Sequence, residues 1–102
     1  MTRSEVWLAQ VGHKFRPVLI LTRPEVIDVR TQVTVAEITT TVRGLSVEVP
    51  LDHLDVGLSK PSVVNCDGLH TVNQSALTTY VGTLSDHTMR AVCNALTRAL
   101  GC

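Results

Sequence analysis

Residues 16–22 read Arg-Pro-Val-Leu-Ile-Leu-Thr and contain the longest apolar run of the chain. A continuous apolar run behind an Arg-Pro pair is typical of a strand that is buried on both faces. We therefore predict a central β-strand over residues 16–22. Pro17 suits its first position, where a missing N–H is least costly. The run is far too short to cross a bilayer, which needs about 20 residues, so no membrane partner is expected.

The segments around this strand are also rich in strand formers. Five further strands are predicted from β-branched content, period-two alternation or flanking Pro and Gly, over residues 5–11, 32–41, 45–49, 62–65 and 80–83. Residues 23–28 are predicted as a loop and residues 73–77 as a single helical turn. Asp52 and Asp55 flank His53 in a segment predicted as an exposed loop.

The C-terminal residues carry the clearest helix signal. Ser85 is a good N-cap, Leu84 and Met89 are spaced for a hydrophobic staple, and Gly101 suits the helix end. Apolar residues recur at helical spacing at Met89, Val92, Leu96, Ala99 and Leu100, which indicates core or dimer packing. Many short strands followed by one helix predict a small, mostly β barrel, and 102 residues predict a single domain over 1–102.

Charge and composition exclude several classes of protein. A hydrophobic content of 44% excludes intrinsic disorder. Nine basic and nine acidic residues balance, which is unlike a sequence-independent nucleic-acid binder. The distribution is uneven, because residues 1–43 hold six Lys and Arg against four acids. An anionic ligand is therefore expected on the first half of the chain; solvated surface charge without any partner is the alternative.

The remaining composition points to a cytosolic protein without a metal site. The three cysteines, Cys66, Cys93 and Cys102, form no Cys-x-x-Cys pair, so reduced thiols are expected. The N-terminus has a charge where a signal peptide needs its apolar core to begin. The sequence contains neither a Gly-rich phosphate loop nor a Gly-x-Ser-x-Gly elbow.

Two short polar segments could form a shared anionic site. An arginine at a rigid strand end presents a fixed fork of donors to a phosphate, and a nearby threonine hydroxyl could orient a reacting group. The residues concerned are Arg16 with its loop neighbours His13 and Lys14, and Arg43 with the preceding Thr39, Thr40 and Thr41. Alternatively, Arg16 pairs with Glu37 and the threonines belong to an ordinary edge strand.

Five blocks, in order along nearly the whole chain, resemble the MazF/PemK-type toxins of bacterial toxin–antitoxin systems. They are EVWL at 5–8, RPVLIL at 16–21, EITTTVRGL at 37–45, SVVNCD at 62–67 and GTLS at 82–85. The resemblance implies an SH3-like barrel with a C-terminal helix, a homodimer, and a metal-independent endoribonuclease that cuts single-stranded RNA at short sequences. It implies no cofactor and a cytoplasmic location.

Carried over by position, the catalytic arginine of that family falls on Arg16 and the catalytic threonine on Thr39. The implied reaction is attack of the ribose 2′-hydroxyl on the adjacent phosphate, which leaves a 2′,3′-cyclic phosphate and a 5′-hydroxyl. His13 is a candidate acid or base because histidine is the side chain type most often used for proton transfer near neutral pH, although a surface histidine without a role is an alternative. The residues expected to contact RNA are Lys14, Thr40, Thr41, Arg43, Asp67 and His70.

The chain departs from the family pattern near the expected RNA groove. A longer Gly-rich loop is reduced here to residues 11–15, and Ser4 stands where glycine is usual. Gly68 and His70 replace a common glutamine and arginine. The cleavage motif therefore cannot be carried over.

The resemblance also implies a partner, a cognate antitoxin whose disordered, acidic and apolar segment folds across the groove. Two other functions share the fold. One is a non-catalytic toxin that binds a protein target such as gyrase, and the other is a barrel that binds RNA without cutting it.

Overall fold

The computed structural model describes residues 1–11, 13–52 and 56–102, and its strands form one antiparallel sheet. The elements, in chain order, are β1 (Glu5–Val11), β2 (Lys14–Ile20), α1 (Pro24–Ile27), β3 (Gln32–Thr39), β4 (Glu48–Leu51), β5 (Ser62–Asn73), a 3-10 turn (Gln74–Ala76), β6 (Leu77–Thr83) and α2 (Asp86–Leu100). The order across the sheet is β4-β5-β3-β2-β1-β6. The predicted mostly β fold with a C-terminal helix is confirmed.

Several predicted boundaries are confirmed and others are wrong. The strand over residues 5–11 and the turn within 73–77 are confirmed. Strand β2 begins at Lys14, so Lys14 is not in a loop and Pro17 is not the first strand residue. The predicted loop over 23–28 contains the single turn α1, because Pro24 fixes the backbone angle that the first turn of a helix needs. His53 and Asp55 lie outside the described residues.

The other errors concern where strands β3, β4, β5 and β6 begin or end. Strand β4 begins at Glu48 rather than 45, since the Glu48 carboxylate folds the preceding segment into a turn. Strand β3 ends at Thr39 rather than 41. Strand β5 continues to Asn73, past the predicted end at 65, and β6 begins at Leu77 rather than 80.

Pro17 lies where the pairing of β2 with β3 ends. The backbone N–H of Leu21 donates to the Thr34 carbonyl at 2.9 Å, so the odd-numbered backbone groups of this segment point toward β3. Pro17 has the same orientation but no N–H to donate. The pairing accordingly stops at Val18 opposite Glu37, and the next residues of the two strands are free to separate.

The two faces of the sheet carry separate apolar cores. One face, which includes Leu19 and Ile38, packs against Met89, Val92 and Ala95 of α2. The other face carries a smaller cluster that includes Val18, Ile20 and Val35. Because side chains alternate along a strand, Arg16 continues the second face beyond its apolar part.

Helix α2 begins and ends as the sequence predicts. The Ser85 hydroxyl accepts a hydrogen bond from the Thr88 amide at 3.2 Å, and Gly101 adopts the left-handed conformation with φ 73°. Of the predicted apolar stripe, Leu100 is 63% exposed and therefore does not belong to the core of this chain. The described residues include no helix long and apolar enough to span a membrane.

Ser4 adopts a positive φ of 79°, which is uncommon for a residue with a side chain. Its amide donates to the Ile20 carbonyl, and its own carbonyl accepts from the Leu84 amide. Ser4 therefore ties the chain start to β2 and to the end of β6. This conformation accounts for the usual glycine at the position.

The three cysteines differ in burial, because only Cys66 lies in the core. Burial raises the pKa of the Cys66 thiol, and the neighbouring Asp67 carboxylate raises it further. Cys93 and Cys102 are exposed. Because the thiolate is the reactive form, a disulfide reagent at pH 8 should label two thiols per chain rapidly. The third should react only as the protein unfolds in urea; three equally fast thiols would contradict the burial of Cys66.

Candidate active site

Arg16 and Thr39 lie where β2 and β3 separate. The last pair of these strands is Val18 with Glu37. Arg16 lies two residues before Val18, and Thr39 lies two residues after Glu37. Alternation places both on the face that carries Val18 and Val35. The sequence thus brings an arginine and a threonine together at an opening whose position is set by Pro17.

A polar cavity of about 290 Å³ occupies this opening. It is lined by residues from β2, β3, the segment after β3, β4 and β5, namely Arg16, Pro17, Glu37, Ile38, Thr39, Thr41, Arg43, Leu45, Glu48, Asn65 and Asp67. Of the residues predicted for the site, the polar cavity brings together Arg16, Thr39, Thr41, Arg43 and Asp67.

The Thr39 hydroxyl acts as a hydrogen-bond acceptor within the protein. Its oxygen accepts a hydrogen bond from the Thr41 amide at 3.1 Å. Because an amide only donates, the hydroxyl hydrogen of Thr39 remains available for another acceptor. A phosphoryl or ribose oxygen in the polar cavity would be such an acceptor.

The polar cavity contains two guanidinium groups and three carboxylates. Glu37 Oε1 lies 2.8 Å from His70 Nε2, and Glu48 accepts from backbone amides. None of the ion pairs among the described residues involves Arg16, so the alternative Arg16–Glu37 pair is not formed there. The Arg16 guanidinium, which is exposed, therefore keeps its donors for a ligand.

Glu48 holds the segment that carries Arg43. Its carboxylate accepts from the Arg43 amide at 3.0 and 3.2 Å and from the Leu45 amide at 3.0 Å. Arg98 of α2 adds a bond to the Ser46 carbonyl at 2.7 Å. These contacts fix the loop, and with it the backbone from which the Arg43 side chain extends into the polar cavity.

A second cavity, of about 420 Å³, lies on the other side of Arg16. We call it the aliphatic cavity; its lining is Ala9, Lys14, Arg16, Val18, Val35, Glu37, His70, Thr71 and Val72. Lys14 and His70, both expected to contact RNA, are found here. Arg16 and Glu37 line both cavities, so the two are neighbours.

The remaining predicted residues lie outside both linings. His13 is exposed in the turn between β1 and β2, and Thr40 is exposed just after β3. Gly12, in the shortened loop over 11–15, lies outside the described residues.

Sequence reasoning missed Glu48 and Asn65, and it treated Pro17 only as a strand start. Asn65 precedes the irregularity in β5 and accepts from the Asp67 amide at 3.1 Å. Glu48 acts on amides that precede it by three and five residues. No periodicity of the sequence signals such contacts. A proline in a predicted buried strand does signal a point where strand pairing ends.

The family model described as "PemK-like, MazF-like toxin of type II toxin-antitoxin system" matches residues 2–100. This chain belongs to that family. Endoribonuclease MazF3 of Mycobacterium tuberculosis is 52% identical over 79 residues, which cover 78% of this chain and 75% of that protein.

Solved structures agree with this assignment to the PemK-like, MazF-like toxins. Mycobacterium tuberculosis toxin MazF-mt6 superposes with a TM-score of 0.89 at 45% identity, covering 95% of this chain and 96% of that chain. An endoribonuclease in complex with its cognate antitoxin, from Mycobacterial species, superposes with a TM-score of 0.89 at 27% identity, covering 99% of this chain and 95% of that one.

In this PemK-like, MazF-like toxin, we predict that Glu48→Ala releases the Arg43 loop. Hydrogen bonds to a charged group contribute about 1.5–3 kcal/mol each when they are fully formed. The amides of Arg43 and Leu45 should therefore exchange with solvent at least about tenfold faster, as measured by hydrogen-exchange NMR. Glu25→Ala, which removes an exposed carboxylate from α1, is the matched control. Unchanged exchange in Glu48→Ala would show that other contacts hold the loop.

Proposed function

We propose that this chain is a sequence-specific, metal-independent endoribonuclease toxin that cuts single-stranded RNA and thereby inhibits translation and growth. The observation that carries the proposal is that Arg16 and Thr39 line one cavity at an opening of the sheet, in a chain of the MazF-like family. Several family relatives are named as endoribonucleases, MazF3 among them. The toxin is proposed to act as a single domain over residues 1–102.

RNA supplies its own nucleophile, so the protein must mainly orient it and stabilise charge. The ribose 2′-oxygen attacks the adjacent phosphorus, the new P–O2′ bond forms, and the P–O5′ bond breaks. The 2′-hydroxyl proton passes to a base, and the departing O5′ receives a proton. The products carry a 2′,3′-cyclic phosphate and a 5′-hydroxyl.

Arg16 is assigned to the charge that develops on the phosphoryl oxygens. A guanidinium stays protonated at any physiological pH and presents parallel donors. Thr39 is assigned to orientation, because its free hydroxyl hydrogen can bond an oxygen of the reacting group. Both residues are catalytic in this proposal, since both would touch the reacting atoms.

The other site residues are assigned to binding. Lys14 and Arg43 attract the phosphates that flank the cut, while Thr40, Thr41 and His70 offer hydrogen bonds. Asp67 would repel a phosphate, so its carboxylate suits a donor on a base or ribose. His13 stays a candidate for proton transfer; its exposed position outside both cavities requires RNA to approach the turn between β1 and β2.

The proposal extends to partners and location. The toxin forms a homodimer in the cytoplasm, and a cognate antitoxin neutralises it by folding a disordered C-terminal segment across the groove. A relative solved in complex with its cognate antitoxin supports this partner. The non-catalytic alternative, binding of a protein target such as gyrase, is not favoured, because it gives no reason for Arg16 and Thr39 to share a cavity.

We predict that the purified protein cuts bacterial RNA at discrete sites in excess EDTA and leaves 5′-hydroxyl ends. Arg16→Ala should slow cleavage by about 100-fold or more, as expected when a main donor to developing charge is lost. Sequencing of the new ends, with and without prior 5′ phosphorylation, identifies the cut sites and their 5′-hydroxyl groups. The rate at which these ends accumulate gives the effect of Arg16→Ala.

Arg23→Ala provides the matched control, because Arg23 is an exposed arginine immediately before α1 and lines neither cavity of the site. It should cut at the wild-type rate. Intact RNA with the wild-type protein would favour the protein-binding alternative. Cleavage that survives Arg16→Ala, or that requires a divalent cation, would contradict the assignment of Arg16.

We also predict that an acidic peptide bearing leucine side chains competes with RNA for the cationic residues of the site. Lys14→Ala combined with Arg43→Ala should weaken the binding of both the peptide and RNA, because both ligands are attracted by the same charges. Raising the salt concentration should weaken both binding reactions further. Anisotropy of a labelled oligonucleotide, titrated with unlabelled peptide, measures the competition. Simultaneous binding of peptide and oligonucleotide would contradict a shared groove.

A further inference from the structure

The aliphatic cavity has a lining suited to a nucleobase. Ala9, Val18 and Val35 are buried side chains that form an apolar floor, against which the flat face of a base can pack. The cavity, at about 420 Å³, lies within the size range of small-ligand pockets. Because Arg16 also lines it, a nucleotide whose phosphate binds Arg16 can place its base on this floor.

The Glu37 carboxylate lies at the rim beside His70 and Gly68. Glu37 Oε1 lies 2.8 Å from His70 Nε2. A Cβ atom built on Gly68 would lie only 2.6 Å from Glu37 Oε2, so any larger residue at 68 would displace the carboxylate. His70 and Gly68, two of the departures from the family pattern, both lie beside Glu37.

An ionised carboxylate can only accept hydrogen bonds. Adenine, cytosine and guanine each carry an exocyclic amino group that donates to it, as in the contact by which Glu and Asp accept from the cytosine amino group. Uracil has no amino group, and its one donor at this edge, the ring N3–H, lies between two carbonyl oxygens that a carboxylate repels. The rim therefore distinguishes bases by whether they carry an amino group.

We propose that the aliphatic cavity binds the base beside the scissile phosphate and that Glu37, positioned by His70 and Gly68, selects an amino-bearing base over uracil. This inference rests on the proposed function. It adds the identity of a specificity-determining residue.

The test separates base selection from cleavage. A randomised pool of 2′-O-methyl oligonucleotides lacks the nucleophile and cannot be cut, so sequencing of the protein-bound fraction reports binding alone. The wild-type protein should deplete uridine at one position by about fivefold or more. Glu37→Gln replaces one acceptor oxygen by an NH₂ donor at nearly the same volume, and it should abolish that depletion.

Gly68→Ala provides an independent second variant, because its methyl group displaces the Glu37 carboxylate without removing it. It should also abolish the depletion, whereas the control Glu25→Gln should retain it. Uridine depletion that is absent from the wild-type protein, or unchanged in Glu37→Gln, would overturn the inference. Depletion as expected, with no cleavage of ordinary RNA, would support the base pocket and refute the proposed nuclease.

Discussion

The site depends on a hydrogen bond that Pro17 cannot make. Leu19, which has the same orientation in β2, has an N–H to donate, and the two strands pair there. At Pro17 that contact ends, and the residues beyond it, Arg16 and Thr39, border an open cavity instead of a closed sheet. The rigid, buried part of the same two strands then holds the opening in shape, so the apolar run that stabilises the fold also positions the catalytic pair.

Electrostatic control of the site is local, since the chain carries no net charge. Three carboxylates line the polar cavity beside two arginines, which would be unfavourable for a phosphate if all three were free. Glu48 is engaged by backbone amides and Glu37 by His70. The guanidinium of Arg16 has no acidic partner among the described residues and remains available to an anion, so the specific partners of each carboxylate matter more than the total charge.

The elements whose signals are local could be predicted from the sequence. The capped helix α2, the buried run of β2 and the 3-10 turn are of this kind. The two polar segments that the sequence suggested could share a site supply Arg16 and Thr39 to one cavity. The length of β5 could not be predicted, because its second half pairs with β3 only after an irregularity at Ala36 and Glu37. The Glu48 loop and the Glu37–His70 contact could not be predicted either, because they depend on side chains that meet only in the folded sheet.

Arg16 lies between two neighbouring cavities, and this position bears on where along a strand an RNA can be cut. A phosphate bound there has space for a nucleotide on its 5′ side and for another on its 3′ side. The last phosphate of a chain would leave one cavity empty and forgo its contacts. Under the proposed function, the sheet therefore favours interior bonds over chain ends, and trimming from a terminus is disfavoured by the shape of the site itself.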